Sequence, residues 1–415
     1  MPILVACDEL EPGMRLFEPI VSGERVMLQG GKSLTAGDID VLKRRYPGLS
    51  VRVGDPILDD VIEFEDDARE RDAASFAQQR ISESMVDVQQ RFSERASLQG
   101  VNFDAIHAAV AEILEYLRGH RNTVALLARS LDPANYLSTH AGNVFYLSML
   151  LGSAVQTYVA AERQRQTLAR GLRHDFASDL TPLGLGAIFI DLGMLPIQHV
   201  LTSDKPLSEA DRQAVLKHPN VGADMLPDNF SAVARMIVRT HHENFAGSGY
   251  PKGIVAEKLH VFSRIVRIAD AYDAATSERV YRQAKSPGRV LWEMSNGPYR
   301  HAYDPELMAV FARLIQPFPI GAKLHLQDGR YAVVVRYNRH RPFLPTVVVA
   351  FDADNRPLPQ ADMEGPLCLE ERPDLRVRSF RGEDLAYLYN EQPPEIATRE
   401  GFRTPIEAAF PSADG

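Results

Sequence analysis

Apolar and polar positions divide the chain into stretches of different period. Residues 1–58 carry short extended runs, PILVACDEL, RLFEPIVS and ERVMLQ, separated by EPG, SG and GG turns, which predict strands. Within them LTAGDIDVLKRRYPG predicts a helix, with Leu34 before it and Ile39 and Leu42 on one face, and VRVGD predicts another strand. From residue 59 to 97 there is no Gly or Pro, and Glu, Asp, Arg and Gln dominate. That pattern predicts a long helix exposed on one side. A connector is the plain reading; a dimerising stalk is compatible, although its apolar heptad is not clean.

Between residues 100 and 317 the apolar spacing is helical almost throughout: DAIHAAVAEILEYLRG, NTVALLARSL, HAGNVFYLSMLLGSAVQTYVAAERQRQTLARGL, PLGLGAIFIDLGML, SEADRQAVLKH, FSAVARMIVRTHHE and VFSRIVRIADAYDAATS. Ser208 followed by Asp211 predicts a capping box with Asp in place of Glu. His218 precedes Pro219, where the helix is expected to end. Beyond residue 318 the period returns to strands, with a hairpin around Asp328-Gly329 and a further strand and turn in TVVVAFDADNRPL. The expected organisation is a mainly α protein: a β-rich segment at 1–58, a helical connector at 59–99, a helical domain at 100–317, a β-rich segment at 318–390 and a polar, Pro-rich tail at 391–415.

Composition narrows the function. The 415 residues are 45% hydrophobic and 24% charged, as in a globular protein of roughly three domains. A net charge of −9 argues against a nucleic-acid polymer as partner, while leaving room for a local basic pocket that takes a small phosphate ligand. No apolar run approaches bilayer length, so no membrane partner is expected. MPILVACDELEPG is acidic and a poor signal peptide, and Cys7 and Cys368 have no metal-type spacing; both fit a cytoplasmic protein.

The helical stretch holds the candidate chemistry. His140 lies near the start of an apolar helix, Asp191 follows the apolar run GLGAIFI, His218 precedes a proline, His241 and His242 end a helix, and Asp270 lies on an apolar helical face. A carboxylate on a buried face is costly unless a cation or hydrogen-bond donors compensate it. Mixed histidine and aspartate sets suit manganese, iron or zinc. Taken singly, each residue reads more readily as a satisfied core histidine, a cap or a turn. Their order and spacing shift that balance.

That order resembles the HD-GYP family, a branch of the HD metal-dependent phosphohydrolases, over about residues 130–300. The matching stretches are THAGN, IDLGM, KHPNVG, HHENFAGSGYPKG and DAYDAATSERVYR, the last two nearly complete. The resemblance implies a mainly helical domain that hydrolyses cyclic di-GMP with two or three ions, commonly iron or manganese. It implies metal ligands at His140, Asp191, His218, His241, His242 and Asp270, with Asp191 bridging and catalytic. It also implies a nucleotide pocket formed by Gly247, Gly249, Tyr250 and Pro251, with Arg279 and Arg282 on substrate phosphate.

Four positions depart from the family pattern. Ile190 replaces the histidine of the His-Asp pair, Met194 its lysine, Ala246 the acidic residue opening the glycine loop, and Tyr136 a glutamate that marks some three-metal members. By resemblance, one metal shell (His218, His241, His242, Asp191) is complete and the other (His140, Asp191, Asp270) has lost a ligand. One divalent ion is therefore expected, with the second site weakened. The favoured reading is a degenerate member that binds cyclic di-GMP or a related nucleotide with little or no turnover, acting through a signalling protein partner, with a homodimer compatible. The alternative is an active phosphodiesterase yielding pGpG or GMP. A structural module with relic ligands is a third reading.

Overall fold

A computed structural model of the chain describes residues 3–22, 25–46, 49–54, 68–119, 136–166, 178–202, 208–277, 284–338, 340–385 and 388. The protein is mainly helical, as the apolar periodicity predicts, with small antiparallel sheets. Its contacts separate two compact units: residues 1–67, 284–289 and 315–395 form one, and residues 68–283, 290–314 and 396–415 the other. Among the described residues no single helix is long and apolar enough to cross a membrane.

The first unit contains β1 (Ile3–Ala6), β2 (Arg15–Leu16), β3 (Ile20–Ser22), β4 (Arg25–Leu28), α1 (Ala36–Arg45) and β5 (Ser50–Gly54). Here β1, β5 and β2 make an antiparallel sheet, and β3 pairs with β4. Ile39 and Leu42 of α1 are buried as their spacing predicts. The sequence reading keeps the two β-rich segments apart, yet contacts in the structure join them. The Leu4 amide donates to Gly321 O at 2.8 Å, and Leu4 bridges Ala322. Segments this short bury a small fraction of their surface alone, and pooling their apolar faces is the physical gain.

The later strands of this unit are β6 (Lys323–Leu326), β7 (Tyr331–Arg336), β8 (Thr346–Phe351), β9 (Glu364–Cys368), β10 (Val377–Phe380) and β11 (Glu383–Asp384), ordered β11-β10-β6-β7-β8-β9 in one antiparallel sheet. The predicted Asp328-Gly329 turn joins β6 to β7, with Gly329 at φ +93°. Leu324, Leu326, Ala332, Val334, Val347, Val349 and Val377 fill the core beneath the sheet.

The second unit holds α2 (Ala68–Arg95), α3 (Phe103–Gly119), α4 (Tyr136–Ala154), α5 (Gln156–Gln166), α6 (Thr181–Ile188), a 3-10 turn (Leu192–Ile197), α7 (His199–Thr202), α8 (Glu209–Met225), α9 (Ala232–Thr240), α10 (Val261–Thr276) and α12 (Pro305–Leu314). Between the last two in sequence is α11 (Pro287–Asn296), whose residues 287–289 belong to the first unit and 290–296 to the second. The stretches NTVALLARSL and 391–415 lie outside the described residues. Helix α4 is the core element; nearly all of Leu137–Gly152 is buried, against α2, α6 and α10. Over its described residues, the single stretch read from His140 is two helices, α4 and α5, bent by 88° at Val155. Apolar spacing runs on through buried Val155 and Val159, so periodicity does not betray the bend.

Two further expectations are corrected. PLGLGAIFIDLGML is not one helix: α6 stops at Ile188, and Asp191 sits in a turn before the 3-10 segment. The turn packs closely on α8: a Cβ on Gly193 would collide with the His218 carbonyl and come within 2.7 Å of the Gly222 amide. Nor does α8 end before Pro219; it runs to Met225 with the proline inside. Proline deprives the carbonyl four residues earlier of its N–H partner. That carbonyl, Val215 O, accepts instead from His218 Nδ1 at 2.6 Å.

Candidate metal centre

Five segments of the helical unit bring the predicted ligands together. Helix α4 supplies His140, the turn after α6 Asp191, α8 His218, the end of α9 His241 and His242, and α10 Asp270. Asp191 has one oxygen 3.5 Å from His140 Nε2 and the other 3.4 Å from His218 Nε2. Asp270 is divided in the same way, with Oδ1 3.3 Å from His140 Nε2 and Oδ2 3.7 Å from His242 Nδ1. Asp191 thus stands between His140 and His218, and Asp270 between His140 and His242. The assignment by resemblance gives that bridging position to Asp191 alone.

The donor set fits a metal. His241 Nδ1 lies 2.8 Å from Val238 O, and His218 Nδ1 makes the bond to Val215 O. A carbonyl oxygen can only accept, so each Nδ1 carries a proton and Nε2 is the nitrogen of each ring left to bind a metal. These two Nε2 atoms face one another at 3.2 Å. Two lone pairs at that distance repel, and a cation binding both resolves the conflict. Ligand atoms of His218, His241 and His242 all lie within 4.8 Å of one another. Burial, reinforced by the neighbouring His218, lowers the His241 pKa to about 4. Burial and His241 also hold His242 well below its ordinary value. Those rings stay neutral, as metal ligation requires.

His140 differs. Burial opposes its cation, but hydrogen bonds with Asp270 and Asp273, aided by the charge on Asp191, lift its pKa to about 10. For Asp191, burial favours the neutral acid, yet His218 and His140 bring it well below the usual carboxylate range. Asp270 is likewise held low against its burial, by its hydrogen bond from His140 and the nearby His242.

Sequence reasoning missed three supporting residues. Asp273, fully buried, lies 2.6 Å from His140 Nδ1 and accepts from Asn143 Nδ2 at 2.7 Å, which fixes the imidazole so that Nε2 faces Asp191 and Asp270. The signal was its spacing: Asp273 is one turn beyond Asp270 on α10, and Asn143 one turn beyond His140 on α4. Glu243, also fully buried, accepts from the Lys252 amide at 2.7 Å and the Ile254 amide at 2.9 Å. It holds the glycine loop to the histidine pair.

In that loop Gly247 has φ +79°, and a Cβ on Gly249 would strike Asn244 N and His242 O. The Tyr250 amide reaches His242 O at 3.2 Å, and its ring stacks on His242 with centroids 4.7 Å apart. Pro251 follows through a cis bond. Ala246 bridges Val255 at the loop's base. Tyr136 stacks on His140 at 5.2 Å, and Ile190 and Met194 are both buried. Arg279 and Arg282 lie outside the described residues.

Residues 148–307 match a family model described as an HD domain. The cyclic di-GMP phosphodiesterase PA4108 of Pseudomonas aeruginosa is 27% identical over 271 residues, covering 64% of this chain and 61% of its own length. A cyclic di-GMP phosphodiesterase of Vibrio cholerae is 29% identical over 185 residues, 42% of this chain and 36% of the relative. The 3'3'-cGAMP-specific phosphodiesterase 3 of Vibrio cholerae is 33% identical over 137 residues, 32% of this chain and 29% of the relative. The chain spans less than two thirds of the length of each.

Proposed function

Because the chain is a member of the HD-GYP family, we propose that its histidine and aspartate centre binds a divalent transition metal and a cyclic dinucleotide, with little or no turnover. One observation carries the second half of this reading. Ile190, 1% exposed and without a donor atom, adjoins Asp191 in a centre where every other implied ligand converges. His218, His241 and His242 would hold the ion with Asp191, and iron or manganese suits that set. A bound metal supplies Lewis acidity toward a phosphodiester oxygen and a water of lowered pKa.

The chain's own residues do the rest. Asp273 keeps His140 turned toward the carboxylates, Glu243 holds the loop, and Tyr250 offers an aromatic wall beside His242. Gly247 and Gly249 let that loop lie close to the centre, and Arg279 and Arg282 belong to the ligand's phosphates in this reading. A cytoplasmic receptor of this kind would pass its occupancy to a partner protein or to a second copy of itself. The names of the relatives support cyclic di-GMP as ligand and also admit 3'3'-cGAMP.

An active phosphodiesterase is the second reading. It is favoured by the double-sided placement of Asp191 and Asp270, which leaves both parts of the centre with carboxylate oxygens. Metal content and turnover measured on one pure sample separate the two. The receptor reading expects bound nucleotide and almost no linear product; rapid multiple turnover in metal-replete buffer would defeat it in favour of the enzyme. Parallel titrations with cyclic di-GMP and 3'3'-cGAMP rank the ligands.

A further inference from the structure

Arg267 stands one turn before Asp270 on α10, and its side chain is 18% exposed, so it borders the centre without being sealed inside it. Its guanidinium is held on two sides. Nε donates to Asn244 Oδ1 at 3.0 Å, and the cation lies over the Tyr303 ring at 5.3 Å from the centroid. Asn244 in turn donates to Ser248 Oγ at 3.1 Å, which ties the arginine to the glycine loop. On the remaining side Nη1 approaches Asp270 Oδ2 at 4.0 Å, too far for a hydrogen bond. That oxygen is the one that faces His242.

Asp270 already has His140 as a hydrogen-bonded cationic neighbour, and a metal ligated there would offset its charge again. With a metal there, Arg267, which makes no hydrogen bond to Asp270, would keep its charge for a ligand entering the centre. On the 3-10 segment, Met194 is buried and brings no charge. A planar guanidinium fixed at one edge and over one face is preorganised to present its other donors to an oxyanion.

We propose that Arg267 is a phosphate-binding residue of this centre, with its Nη edge taking a non-bridging oxygen of the ligand's phosphodiester. The assignment rests on the reading of the centre as a phosphodiester site and adds a cation that the motif-matched positions do not include. Its opposite is a clamp that only steadies the Asn244–Ser248 turn.

The test titrates the metal-loaded full chain by calorimetry with two probes, cyclic di-GMP and inorganic phosphate. The proteins are the unmodified chain, Arg267→Ala, Arg267→Lys and Asn244→Ala, with metal content measured on each. A lost charge-assisted contact is expected to weaken both probes at least about tenfold in Arg267→Ala. Metal content stays unchanged, the salt dependence of binding becomes shallower, Arg267→Lys recovers part of the affinity, and Asn244→Ala loses less. Undiminished phosphate affinity in Arg267→Ala overturns the assignment. So does an equal loss in Asn244→Ala with no recovery by lysine, which is the signature of a clamp. If phosphate binds through Arg267 and cyclic di-GMP does not bind at all, the nucleotide reading fails while the assignment stands. If neither probe binds the unmodified chain, the assignment falls too.

Discussion

His241 sits among imidazoles and backbone carbonyls, while His140, on the far side of Asp191, sits among three carboxylates. The same ring is pushed in opposite directions by these settings: toward neutrality in the first, with a pKa of about 4, and toward the cation in the second, at about 10. An imidazole whose Nε2 is bare can take a metal directly. One that holds a proton between Asp191 and Asp270 must give it up to an entering cation. The side that lacks a donor at Ile190 is therefore also the side where a proton competes with the metal. In the receptor reading, sequence departure and local electrostatics act on the same half of the centre.

The change that should abolish this contrast most completely is Asp191→Ala, because the two oxygens of Asp191 serve both halves. Removing a shared ligand should cost at least the roughly 10–100-fold in metal affinity typical of outer-shell partners. Elemental analysis after dialysis against chelator should find the variant nearly metal-free. Retention of the unmodified metal content would show that Asp191 is not shared.

A smaller effect should appear when each half is cut separately. His241→Ala removes one of the three clustered nitrogens and should empty the triad, whereas His140→Ala should leave the total metal content close to that of the unmodified chain. Equal losses in the two variants would erase the distinction drawn between the halves.

Ile190→His tests the contrast from the other direction. A restored imidazole beside Asp191 should raise the metal content from about one toward about two ions per chain, while Ile190→Ala should not lower it. Two tightly held ions in the unmodified chain would mean that the His140 half is complete without a donor at position 190.

Much of this was legible in the residues. The mainly helical domain, the Ser208–Asp211 box and the Asp328-Gly329 hairpin follow from period and turn chemistry, and each is a local feature. The convergence of His140 with Asp270 and Asp273 spans some 130 residues, and spacing within one helix cannot encode it. Motif order could suggest that meeting; geometry had to supply it. His218 shows a different limit. A proline rule ended its helix too early, because the rule does not include a histidine that can satisfy the abandoned Val215 carbonyl. Glu243 was visible in HHE, but its two partners are backbone amides nine and eleven residues on, and side-chain identity carries no trace of them.

Glu243→Gln should have the smallest effect on the metals and should sharpen the contrast by acting on one half alone. The carboxylate accepts one amide on each oxygen, and glutamine can match only one of them. Its NH2 then faces a buried amide donor, a mismatch that costs about 1–3 kcal/mol. That strain falls on the loop carrying Tyr250, which stacks on His242 and has no described contact with His140. Cyclic dinucleotide affinity should drop by up to about 5- to 150-fold if that cost falls on the bound loop, while metal content is unchanged. Glu243→Ala would also open a cavity and is the less informative variant. Calorimetry with cyclic di-GMP and elemental analysis on the same preparation check both halves of the statement. A loss of metal in Glu243→Gln would mean that the loop helps hold the ion, and that the triad depends on more than its own three rings and Asp191.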